Sequence, residues 1–186
     1  MLSCQVEHSN NRLAIADETT ADISPAGGVA ELGDLKVEAL ANSLGETDFK
    51  IRIARTAGNV MSQAEGVNFS STSSYIVQVL ATNGVTIEPA QLQKALTFTF
   101  KHKILDLPED IMALVINNFS KDPGDWGRLF VPYADLVVGA ALHLTQVVSG
   151  DIAQVSFKAP LTDLAVTLAE GDAAPAGYNP MLAAAT

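Results

Sequence analysis

The side chains best placed by type and spacing to do chemistry are Lys50 and Arg52, then Gln78, then Thr97, Thr99 and Lys101. The first pair and the last three recur at every second residue, so in extended chain each set projects from one side. Lysine and arginine neutralise phosphate, while threonine and glutamine hydrogen-bond phosphate oxygens or base edges. A sheet face carrying them together has the chemistry to hold single-stranded RNA. Tyr75, Phe98 and Phe100 alternate to the opposite side, so aromatic stacking is missing from that face. An ordinary solvated sheet face has the same composition, and both readings stand at this level.

Catalysis finds less to work with. A nucleophile needs a base within reach and a third group to orient it. His8 lies in a polar start, His102 follows the strand pattern beside Phe100, and His143 sits in an apolar run. Cys4 and His8 are four residues apart near the chain start, and the carboxylates are scattered among turns. No phosphate-binding glycine loop, HExxH or CxxC pattern occurs. The expectation is a protein that is not an enzyme, with no cofactor, no metal and no small-molecule substrate.

The 186 residues are 48% apolar and 17% charged, which excludes a wholly disordered chain. One cysteine allows neither an internal disulfide nor a cysteine-based zinc site. MLSCQVEHSNNR lacks the basic and apolar stretches of a secretory signal. Residues 129–148 are apolar enough to suggest a membrane span, but Pro132, Asp135, His143 and Gln146 favour a buried helix, and no membrane partner is expected. The net charge of −10 argues against a general nucleic-acid binder, yet it is unevenly spread. Residues 1–48 and 104–186 each carry −7, whereas 49–103 carry +4.

The elements that must position the six residues are strands. FKIRIAR (49–55) and LTFTFKHKI (96–104) alternate apolar and polar residues, and SYIVQVL (74–80) splits less cleanly because Ile76 and Leu80 join Ser74 and Gln78 on the polar side. An earlier, weaker strand is read in RLAIA (12–16), before a Ser-Pro-Ala-Gly-Gly turn at 24–28. If these strands pair as a meander, the polar residues share one face. The stretch 82–94 is either a loop with a short helix at Pro89–Lys94 or a loop that contacts neighbours. Asp106-Leu107-Pro108-Glu109 reads as a helix start, with Ile111, Leu114, Val115 and Phe119 as its stripe. A second helix is read from Pro132 to Val148, apolar nearly all round, which calls for a partner subunit to cover it. IAQVSFK (152–158) reads as a strand and LTDLAVTLA (161–169) as a short helix or strand. The fold class expected is therefore α+β: an antiparallel meander with one polar-basic face, two C-terminal helices, and a C-terminal extension. In domain terms this is 1–150 as the body and 151–186 as an extension ending in an Ala/Pro/Gly-rich tail.

This order of elements, and above all the passage KALTFTFKHKILDLPEDIMALVINNF (94–119), resembles the coat proteins of single-stranded RNA bacteriophages, the leviviruses. FKIRIARTAGN (49–59) and SYIVQVL fit the preceding strands, and the likeness covers roughly residues 8–148. The resemblance implies a capsid protein, made in the host cytoplasm and found in the virion. It would form a homodimer by joining two sheets edge to edge, the helices clasping the partner, and self-assemble into an icosahedral shell. Genomic RNA would lie on the inner sheet face over Lys50, Arg52, Ile76, Gln78, Thr97, Thr99 and Lys101, and Thr82 to Lys94 would meet symmetry mates. The residues after Gly150 would be a decoration or an arm reaching a neighbour. Another phage structural protein, such as a decoration, tail or minor capsid component without RNA binding, is the alternative.

Overall fold

The computed structural model describes residues 15–57, 74–103, 112–118, 128–132, 145–149, 152–159, 161–170 and 179–180. In chain order the strands are β1 (Ile15–Ile23), β2 (Gly28–Leu32), β3 (Leu35–Ala39), β4 (Ser43–Glu46), β5 (Phe49–Thr56), β6 (Tyr75–Ala81) and β7 (Leu96–Lys103). They continue as β8 (Met112–Asn118), β9 (Arg128–Pro132), β10 (Thr145–Ser149), β11 (Ile152–Ala159), β12 (Asp163–Glu170) and β13 (Asn179–Pro180). Two sheets result: seven strands in the order β1-β5-β6-β12-β8-β9-β13, and five in the order β10-β11-β7-β3-β2. Every neighbouring pair is antiparallel except β13 beside β9.

Alternation within each strand builds the core between the sheets. Ile51 and Ile53 of β5, with Val77 and Val79 of β6, turn inward from the seven-stranded sheet. They join Leu35, Val37, Phe98 and Phe157 of the other sheet in one buried cluster. Burying each such side chain contributes roughly 1.5–3 kcal/mol before the cost of ordering it. Phe98 and Phe157 are register partners on β7 and β11, and their rings stack with centroids 5.0 Å apart. Tyr75 crosses the sandwich to meet Phe100 edge-on at 5.7 Å. Its hydroxyl accepts a hydrogen bond from the Asp34 backbone N–H at 3.2 Å, in the β2–β3 turn. Gly33 makes that approach possible: its φ is 55°, and a Cβ there would lie 2.5 Å from the Tyr75 oxygen.

The expected α+β class is corrected by this architecture. Residues 112–118, read as the heart of a helix, are β8, hydrogen-bonded between β12 and β9. Residues 145–149, read as the end of a second helix, are β10, paired with β11. The helix boundaries at 106–111 and 119–122, and most of the second helix, lie outside the described residues. The physical reason is that a short apolar run has no decisive period. MALVINN satisfies a helical stripe, but a strand flanked on both sides is also apolar throughout, and seven residues suit a strand better than a helix. The meander is corrected as well, because β5 and β6 are neighbours while β7 belongs to the other sheet. The residues read as a C-terminal extension supply internal strands to both sheets, β11 between β10 and β7, and β12 between β6 and β8. At Pro89–Gln91 the chain makes a single 3-10 turn, with Glu88 and Gln91 closing a capping box.

Candidate nucleic-acid interface

The six candidate residues fall on two different outer faces. Lys50, Arg52 and Gln78 project from the seven-stranded sheet, and Thr97, Thr99 and Lys101 from the five-stranded one. Because the sheets pack through their inner faces, the two trios point in opposite directions.

On the seven-stranded face the cations are already paired. β1 runs antiparallel to β5 in a register that sets Asp22 opposite Lys50 and Asp17 opposite Arg55. The acidic start of the chain thus meets its basic middle side by side. Lys50 Nζ lies 2.9 Å from Asp22 Oδ1. Arg52 donates to Glu18 Oε2 through Nε at 3.0 Å and also through Nη2. On the other side of β5, beside Tyr75, Arg55 forms a two-pronged pair with Asp17 at 2.9 and 3.1 Å, and this hydrogen bonding and charge raise the guanidinium pKa. Arg52 Nη1 also donates to Gln78 Oε1 at 2.9 Å. Asp163 is the register partner of Gln78, so Glu18, Arg52, Gln78 and Asp163 line up as a polar row over four strands. Partial burial pushes the Asp163 carboxyl up to about 6, against the opposing effect of the Gln78 hydrogen bond. Beside this row Ala54, Ile76 and Ala165 are register neighbours and buried.

The five-stranded face is different. Register places Lys36 of β3 beside Thr99 of β7, and Thr99 beside Ser156 of β11. Lys101 lies beside Gln154, and Thr97 lies between Glu38 and Lys158. Thr99 is buried, and its hydroxyl is 3.0 Å from that of Ser156. Lys101 and Lys158 are exposed and Lys36 is half-buried. Among the described residues none of these three lysines is in an ion pair, although Glu31 and Glu38 belong to the same sheet. The regular strand and residue spacings put the three Cα atoms about 8, 12 and 14 Å apart, with Thr99 between them. Such a triangle can engage successive phosphates of one flexible strand.

Of the residues on this face, the sequence reading names Thr97, Thr99 and Lys101 and does not name Lys36, Lys158, Gln154 or Ser156. LKVEA (35–39) carries the same alternation, and IAQVSFK (152–158) reads as a strand from sequence, but alternation does not place either beside LTFTFKHK. His8 and His143 lie outside the described residues. A cleft of about 440 Å³ lined by Asp22, Ser24, Asp48, Phe49, Lys50 and Thr82 opens at the end of β1 and β5, with the Lys50–Asp22 pair in its wall. Among the described residues, no three or more His, Cys, Asp or Glu side chains cluster to hold a metal ion, and no helix is long and apolar enough to cross a membrane.

Fold and face together define a two-sheet antiparallel β-sandwich with a lysine- and hydroxyl-bearing outer surface. No family model matches the sequence, and no curated protein matches it.

Proposed function

We propose that the chain is a non-enzymatic structural subunit of a virion, a coat protein that assembles with copies of itself and meets single-stranded RNA with the outer face of its five-stranded sheet. The observation that carries this reading is the set Lys36, Lys101 and Lys158, free of ion pairs among the described residues, while Lys50, Arg52 and Arg55 are all engaged by carboxylates. Ammonium groups without a carboxylate partner among the described residues, two of them exposed, beside hydroxyl and amide side chains suit a phosphate backbone, and their contribution falls as salt rises. A two-sheet sandwich is a rigid block of a kind used for shells as well as for binding modules, so the fold is compatible with assembly without identifying it. The wider −10 charge and the nearby Glu31 and Glu38 favour a second reading, a structural component of the same kind that carries no RNA.

Size-exclusion chromatography of the protein expressed alone, with absorbance followed at 260 and 280 nm, separates the two. A particle-sized peak rich in nucleic acid is expected for the coat. A particle free of nucleic acid supports the second reading, and a small nucleic-acid-free species contradicts both.

A further inference from the structure

Among the described residues, the five-stranded face has the groups to hold phosphate and lacks those that tell one base from another. We propose that its ligand is single-stranded polynucleotide gripped through the phosphates alone, with no base preference and no discrimination between ribose and deoxyribose. This inference rests on the RNA-binding reading above and specifies what that face recognises.

Three observations carry it. The aromatic side chains of β7 and β11 point into the core: Phe98, Phe100 and Phe157 are 0%, 4% and 0% exposed. The other three strands of the sheet, GVAEL, LKVEA and TQVVS, contain no aromatic residue, so among the described residues this face offers no platform on which bases could stack. Second, the cations are lysines. No strand of this sheet contains arginine, whose planar fork gives bidentate recognition of a guanine edge, whereas an ammonium is a point charge. Third, the polar groups suited to base or ribose readout are either occupied or unanchored. The Thr99 hydroxyl is buried against Ser156. Among the described residues no second side chain fixes the orientation of Thr97 or Gln154, and fixed geometry is what a donor-acceptor code requires.

The test is fluorescence anisotropy on the full chain with short labelled homopolymers of uridylate, adenylate and deoxythymidylate, each across a salt series. Affinities within about threefold of one another are expected. Three lysine–phosphate contacts give a slope of log affinity against log salt of about −2. A preference of about tenfold or more for one base, or for RNA over DNA, overturns the inference while leaving RNA binding in place. Failure to bind any of the three overturns the RNA-binding reading itself. Retained binding by the Lys36→Ala, Lys101→Ala, Lys158→Ala variant removes the ligand from this face and also overturns the inference.

Discussion

The two outer faces of the sandwich both carry cations and differ in what those cations do. On the seven-stranded face, strand pairing lays Asp22 and Glu18 of β1 along Lys50 and Arg52 of β5, so these two cations spend their charge inside the molecule, and Arg55, on the other side of the same strand, is likewise paired with Asp17. On the five-stranded face, Lys36, Lys101 and Lys158 come from three different strands, and register sets two of them beside Thr99 and Gln154. The lesson is that a basic stretch of sequence does not make a basic surface. Which strand lies alongside decides whether a charge is available to a partner.

The comparison can be broken most severely from beneath, because one core supports both faces. Phe98→Ala removes a fully buried ring that stacks on Phe157, and a loss of about 3–5 kcal/mol is expected in denaturant unfolding, with both sheets melting in one transition. Separate transitions for the two sheets would show that they do not share a core.

Asp163 sharpens the contrast through pH. Its folded pKa of about 6 lies above the unfolded value near 3.9, so between roughly pH 4 and 6 the folded chain holds more protons than the unfolded one. Stability therefore falls as pH rises through this window, and the penalty is complete above it. Asp163→Asn keeps an acceptor for Gln78 and removes the charge. A gain of about 1–2 kcal/mol at pH 7.5, discounted for partial exposure, is expected, with none at pH 4. Equal stability changes at both pH values would contradict a buried-charge penalty.

Arg52→Ala tests whether the row across β1, β5, β6 and β12 is held by its central guanidinium. It removes the Glu18 pair and the donor to Gln78, and a loss of about 1–2 kcal/mol is expected, smaller in high salt. Urea unfolding at low and high ionic strength measures it, and an unchanged midpoint would mean that the row adds no stability.

Much of the local structure was legible and the pairing was not. Alternation in FKIRIAR and LTFTFKHK identifies strands and their buried sides, and Phe49, Ile51, Ile53, Phe98 and Phe100 are buried as that alternation requires. It carries no information on which strand lies alongside, so β5, β6 and β7 read as one meander although β7 crosses to the other sheet. MALVINN fits two periods at once, and only its partners β12 and β9 resolve it. The site shared this limit. Thr97, Thr99 and Lys101 stand on one strand and are read together from sequence, whereas Lys36 and Lys158 reach that face through pairings between residues far apart in the chain.

The most direct measurement compares two triple variants in the same RNA titration at low salt. Lys36→Ala, Lys101→Ala, Lys158→Ala should keep the fold, since surface substitutions away from a core cost within about 0.5 kcal/mol each and only Lys36 is half-buried, and should lose RNA binding. Lys50→Ala, Arg52→Ala, Arg55→Ala should lose stability and keep RNA binding. Retained binding in the first variant with loss in a folded second variant would place the RNA on the seven-stranded face and contradict the assignment.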